Sequence, residues 1–168
     1  LSGLFLGNVW KQKAFLRDCT AYAEELAAAA EGITVVFGNA APQETDCTGI
    51  CRTLVEAQNG VLRELTRRPL HGAGNSFAPL LYDLPIENII LAADASPFPV
   101  CFDAQTLSKT AQEKRMPVFY INTLGLQDKG KTVYAFPGRA QVFSANGERV
   151  LMSAAYTEGV TIVNTDTL

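Results

Sequence analysis

Met116-Pro-Val-Phe-Tyr-Ile-Asn-Thr-Leu-Gly-Leu-Gln-Asp128 is the stretch on which the reading of the fold turns. Pro117 to Ile121 is a strand, Val-Phe-Tyr-Ile after the proline, a continuous apolar and aromatic run suited to cover on both faces. Just upstream, Asp103 can cap a helix running from Ala104 to about Arg115. Before that, Ile86 to Ala95 contains Ile-Ile-Leu-Ala-Ala, another buried strand, and Ser96-Pro-Phe-Pro-Val100 follows it as an extended loop. Strand, helix, strand predicts an α/β fold.

Working outward, the stretch from Asn122 to Pro137 is rich in Gly, Asp and Lys and is expected to be a loop. Arg139–Ser144 and Glu148–Ala154 flank Ala145-Asn146-Gly147, an Asn-Gly hairpin signal. Val160–Val163 is expected to close the chain as a short strand. Towards the N-terminus, Lys11–Ala30 is helical: Phe15, Cys19, Tyr22, Leu26 and Ala30 recur at spacings that predict one apolar face. Gly32 is its stop signal. Ile33–Phe37 then reads as a strand buried on both faces. Pro42–Gly49 is a polar loop, and Ile50–Ala57 and Val61–Thr66 flank a second Asn-Gly turn at Asn59-Gly60. Arg67–Pro79, punctuated by Pro69, Gly72, Gly74 and Pro79, reads as irregular. The expected order is α β β β, loop, β α β β β β, with the helices outside a two-sheet core.

The composition narrows the functions. The chain has 168 residues, 48% hydrophobic and 18% charged, enough for a sizeable core. No run reaches the roughly 18 apolar residues that span a bilayer, and no basic leader precedes an apolar segment, so no membrane partner is expected. The net charge of −3 offers no basic face to nucleic acid. Neither the GxGxxG fingerprint nor a P-loop is present. The four cysteines, Cys19, Cys47, Cys51 and Cys101, read as reduced thiols in a cytoplasmic protein. With His71 the one histidine, CxxxC at Cys47 and Cys51 is weak evidence for zinc, and no metal is expected.

Three stretches, Leu1–Phe5 with Gly32–Gly38, Asn59–Arg67, and Ala95–Phe98 with Met116–Asp128 and Phe136–Gly147, together resemble the carbon–nitrogen hydrolase (nitrilase) superfamily. Leu1-Ser-Gly-Leu-Phe5, a helix and Gly32-Ile-Thr-Val-Val-Phe-Gly38 look like its "LTGY", helix, "GITVVxG" run. Asn59-Gly-Val-Leu-Arg-Glu-Leu-Thr-Arg67 is similar to "dGxVLGxYxK". Ala95-Ser-Pro-Phe98, a helix, the Met116–Asp128 stretch and Phe136-Pro-Gly-Arg-Ala-Gln-Val-Phe-Ser-Ala-Asn-Gly147 resemble the pattern of the glutaminase domain of NAD synthetase. The resemblance implies a four-layer αββα sandwich over residues 1–168, read as one domain truncated at its N-terminus. It implies hydrolysis of a small amide such as glutamine, with ammonia passed to an ATP-dependent NAD synthetase domain, and pairing into a homo-oligomer. It implies no cofactor. The chemistry is that of Glu, Lys and Cys: the thiolate attacks the amide carbon, the carboxylate moves the proton and the ammonium steadies the oxyanion.

Residue by residue, the carry-over is incomplete. The family's Glu would precede Leu1. Its Lys falls on Arg67, which keeps the charge but not the shape; a slip of one would place it on Arg68. Its Cys falls on Leu81, since Pro79-Leu-Leu-Tyr-Asp83 takes the place of "ICxD", and Leu cannot attack a carbonyl. The interval near 77–90 is short for the family, which suggests a missing segment. Cys101 is the alternative nucleophile, with an ordinary thiol as its plainer reading. Phe77, Tyr82, Ser96 and Asn122 are expected to line the substrate pocket. Asn122 also reads as a side chain tying the loop to the sheet. Two further functions compete: a catalytically inactive relative used as a binding or oligomer scaffold, and a general small-amide amidase.

Overall fold

The computed structural model describes residues 12–42, 50–69, 80–84, 88–94, 96–98, 103–128 and 131–168. The chain divides into two compact units, Leu1–Asn75 and Ser76–Leu168.

In the first unit, α1 (Lys13–Ala29) is followed by β1 (Val35–Pro42), β2 (Ile50–Gln58) and β3 (Val61–Pro69), an antiparallel sheet in the order β1-β2-β3. The β2–β3 turn places Asn59 (φ 48°) and Gly60 (φ 79°) in the left-handed region that a two-residue hairpin turn demands. The same turn caps the helix: Gly60 N–H donates to Ala27 O at 2.8 Å and Asn59 N–H to Ala30 O at 2.9 Å. Carbonyls at a helix end lack the amides of a following turn, and these two bonds supply partners there; Ala27 O is shared with Ala30 N–H at 3.3 Å.

The buried face of α1 is Cys19, Ala23, Ala27 and, just beyond it, Ala30. Tyr22, expected on that face, is 62% exposed. Alanines let the helix backbone lie close to the sheet, and the stripe rolls towards them, leaving the bulky ring outside. Asn39 of β1 anchors the contact by donating to Cys19 O at 3.1 Å. The expected strand at Ile33–Phe37 is also shifted. Ile33 is exposed, and Val35 to Phe37 are half-buried rather than covered on both faces. Gly32 (φ 73°) reverses the chain after the helix, so the ladder starts only at Val35. At the other end, β3 runs on through Arg67 to Pro69, where irregular chain was expected. Proline is tolerated there because β3 ends the order of its sheet.

The second unit holds β4 (Leu80–Leu84), β5 (Ile89–Asp94), α2 (Ala104–Lys114), β6 (Val118–Asn122), β7 (Leu124–Asp128), β8 (Val133–Pro137), β9 (Gln141–Phe143) and β10 (Arg149–Met152). Its main sheet has the order β10-β9-β6-β5-β4, and β5 and β6 are parallel neighbours joined through α2. Parallel strands need such a crossover, because a tight turn cannot connect them. Asp103 caps α2, its side chain accepting from Gln105 N–H at 2.9 Å. Leu107 and Ala111 of α2 pack on Ile90, Ala92, Val118, Tyr120 and Phe143, the core of this unit.

Two expectations fail here. The supposed loop from Asn122 to Pro137 contains the β7–β8 hairpin, built from apolar residues interrupted by Gly and Asp rather than by a regular alternation. Val160–Val163 is not a strand: it has no ladder partner among the described residues, and Val160 and Ile162 are 94% and 93% exposed. The second Asn-Gly hairpin is present as β9–β10, although β10 stops at Met152 instead of Ala154. Its turn rests on α2, with Ser108 Oγ donating to Gly147 O at 2.6 Å and Gln112 Nε2 to Asn146 O at 3.0 Å.

Leu107→Ala is expected to cost about 2–5 kcal/mol in urea unfolding, because it empties a fully buried site. Gly147→Ala should cost about 1–3 kcal/mol, the price of a side chain at positive φ, with the Gln112 side chain already occupying the space. Gly159→Ala, in open space, should be near neutral in the same assay.

Candidate functional site

β5 and β6 pair in the register Ile90↔Val118, Ala92↔Tyr120 and Asp94↔Asn122. Alternate strand residues share a face, so this face runs from apolar to polar towards the carboxyl ends of the two parallel strands. That is the end at which open α/β sheets hold their ligands. The polar groups there are buried and mutually bonded. Asp94 Oδ2 accepts from Ser96 Oγ at 2.8 Å and from Tyr120 OH at 2.7 Å. Asn122 brackets the loop: its Oδ1 accepts from Ser96 N–H at 3.0 Å, and its Nδ2 donates to Ser96 O at 3.1 Å. Thr123 N–H donates to Asp94 O at 3.3 Å. Ser96 is 1% exposed and Tyr120 3%. A buried carboxylate needs such donors, since an uncompensated charge out of water is costly.

The structure therefore brings together Ser96 and Asn122, and adds Asp94 and Tyr120, which the sequence reading did not single out. Their signal was an acidic residue closing an otherwise apolar strand and a tyrosine on the same face of the neighbouring one. In this arrangement Ser96 is held rather than free: its hydroxyl donates to the Asp94 carboxylate. Among the described residues the cluster fixes the chain after β5 through Asn122 and pairs Ser96 with a carboxylate, not with an imidazole base.

Leu81 and Tyr82 lie on β4, opposite Ala92 and Leu91 of β5. Phe77, Cys47, His71 and Cys101 lie outside the described residues. Arg67 lies on β3 in the first unit and is already engaged. Its Nε and Nη2 donate to the two carboxylate oxygens of Glu64 at 2.7 and 2.8 Å, and its Nη1 donates to Pro42 O at 3.0 Å. Such a bidentate fork is the geometry arginine favours with a carboxylate. Glu64 thus neutralises the cation that an oxyanion would require.

Cys19 and Cys51 are both buried. Burial pushes the Cys19 thiol up from its ordinary value, which disfavours the thiolate that attacks carbonyls. Among the described residues, no group of three or more His, Cys, Asp or Glu could hold a metal ion. On the sheet face away from α2 lies a cleft of about 700 Å³, floored by Phe119, Ile121, Val142 and Leu151 and bordered by Asn122 and Tyr120. It is open and largely apolar, and the polar cluster touches it only along that border.

No family model and no curated protein matches the sequence. Solved structures do. The chain is similar to the glutamine-dependent NAD+ synthetase from Acinetobacter baumannii, with TM-score 0.66 and 17% identity over 94% of this chain and 36% of that one. It is similar to the glutamine-dependent NAD(+) synthetase from Cytophaga hutchinsonii, with TM-score 0.66 and 13% identity over 91% and 33%. A carbon-nitrogen hydrolase from Helicobacter pylori G27 matches with TM-score 0.60 and 12% identity over 94% and 71%. The chain spans about a third of the length of the two synthetases. At these identities the likeness is one of fold, and the resemblance read from the sequence holds at that level: this is a mixed α/β chain with the fold of the nitrilase superfamily.

Two measurements check the site. Asn122→Ala strands the Ser96 amide in a buried position and should cost about 1–3 kcal/mol, with Ser96 N–H losing its protection in hydrogen exchange. Cys19 in the folded chain should resist alkylation and become reactive in urea. The linkage has a definite sign: the raised thiol pKa contributes stability below the unfolded value, and that contribution fades as pH climbs above it towards the folded value.

Proposed function

We propose that this chain is a relative of the glutaminase domain of NAD synthetase that keeps the fold without turnover and serves as a binding or oligomer scaffold. The observation that carries the reading is Arg67. At the position the family gives to its catalytic Lys stands an arginine whose fork is closed on Glu64 and Pro42 O. The nucleophile's position falls on Leu81, on a strand paired with β5, which has no group to attack an amide. The polar cluster around Asp94 supports loop fixing rather than catalysis. The finer fold, a four-layer αββα sandwich, belongs to the same proposal, and what supports it is that each unit supplies a sheet with a helix packed on it. So do a cytoplasmic location, a small amide such as glutamine as the ligand, self-association and an ATP-dependent synthetase domain as partner. Among the described residues no helix is long and apolar enough to cross a membrane.

A second reading is an active glutaminase that supplies ammonia for NAD synthesis. It is favoured by the likeness in fold to two glutamine-dependent synthetases. Ammonia release from glutamine separates the two. The purified chain should give none above background, because Leu81 in place of the nucleophile removes the acyl-enzyme route. Leu81→Cys should restore little while Arg67 remains paired. Robust release by the unaltered chain would overturn the scaffold reading and point to Cys101 as the thiol.

A further inference from the structure

The two Asn-Gly turns carry chemistry that the functional reading does not use. An asparagine followed by glycine can cyclise: the glycine amide nitrogen, giving up its proton to solvent, attacks the asparagine Cγ, the Cγ–Nδ2 bond breaks and ammonia leaves. Water then opens the imide to aspartate or isoaspartate. The reaction needs a glycine nitrogen free of its hydrogen bond and an asparagine side chain free to rotate over it.

Neither turn offers these conditions. Gly60 N–H is donated to Ala27 O at 2.8 Å, and Asn59 Oδ1 is held by Gly32 N–H at 2.9 Å. Gly147 N–H is donated to Ser144 O at 2.8 Å. Asn146 Oδ1 accepts from Ser144 Oγ and from Glu148 N–H. Each turn also docks on the helix of its own unit. The first caps α1, and the second is gripped by Ser108 Oγ and Gln112 Nε2 of α2.

We propose that Asn59 and Asn146 are latent deamidation sites silenced by these bonds and by the helix on which each turn rests, so that each is modified only after its turn has opened. The consequence is directional. Isoaspartate lengthens the main chain at the turn and displaces the glycine that follows. At residue 146 this moves Gly147 O away from Ser108 and separates the β9–β10 hairpin from α2. At residue 59 it withdraws the amides that close the end of α1. A unit that has opened long enough to be modified would therefore close less well.

The test is peptide mapping by mass spectrometry after incubation in mildly alkaline buffer. In the native chain both sites should convert at no more than about a tenth of their rate in urea, since attack must wait for a local opening. Conversion at the urea rate in the folded chain would overturn the proposal. The double variant Ser108→Ala, Gln112→Ala should speed conversion at Asn146 several-fold and leave Asn59 slow. An equal rise at both sites, in a variant that circular dichroism shows to be folded, would show that helix docking is not what protects Asn146. If that variant does not fold, the native-against-urea comparison decides the matter alone.

Discussion

The end of α1 is closed by a turn from the sheet it packs on, and the first unit is organised around that joint. Two amides of the Asn59–Gly60 turn enter the last carbonyls of the helix. The turn can reach them only if β2 and β3 hold their left-handed connection and the helix stops where Gly32 lets the chain reverse. This fixes how far along the sheet the helix sits, and hence which of its residues are buried. The stripe at Ala23, Ala27 and Ala30 is what this placement buries, with Phe15 and Leu16 packing beside Cys19 at the other end of the helix.

In the second unit the comparable constraint is the parallel pair β5–β6. Its shared face begins as a packed apolar core under α2 and ends in a carboxylate with two hydroxyl donors. The change of character is forced by position. Beyond the last ladder pair the backbone must turn, and a turn at that depth has amides and carbonyls to satisfy. Asn122, carrying both a donor and an acceptor, satisfies one of each on Ser96. The site and the core are thus one continuous face, joined where the Tyr120 hydroxyl meets Asp94.

Much of this was legible in residue patterns. Asp103 before a helix, Asn-Gly between two strand-like runs, and the apolar runs at Ile89–Ala92 and Val118–Ile121 became what their local chemistry favours, because each depends on near neighbours. What was not legible depended on distant ones. The face of α1 was misjudged at Tyr22, since spacing marks a stripe but not the depth available beneath it. The β7–β8 hairpin lay hidden behind Gly, Asp and Lys, residues that argue for a loop unless a partner strand is known. Val160–Val163 had every local mark of a strand and lacks only something to pair with among the described residues. At the site, Ser96 and Asn122 could be picked out, but Asp94, which holds Ser96 and Tyr120 together, could not. A lone acidic residue at a strand end is ordinary until the parallel register sets a tyrosine and an asparagine beside it. Arg67 could be read as a cation in the sequence; that Glu64 neutralises it is a fact of side-chain geometry.

Among the described strands, β4 stands at the margin of its sheet, paired with β5 along one side. A marginal strand carries half the ladder of an interior one, and its residues answer to fewer neighbours. Under the proposed reading this is the strand that bears the nucleophile in active relatives. A residue exchanged at such a margin leaves the interior ladders of the sheet intact. Under the proposed reading, fold and reaction are mounted on different strands, and the interior of the sheet holds whichever residue its margin carries.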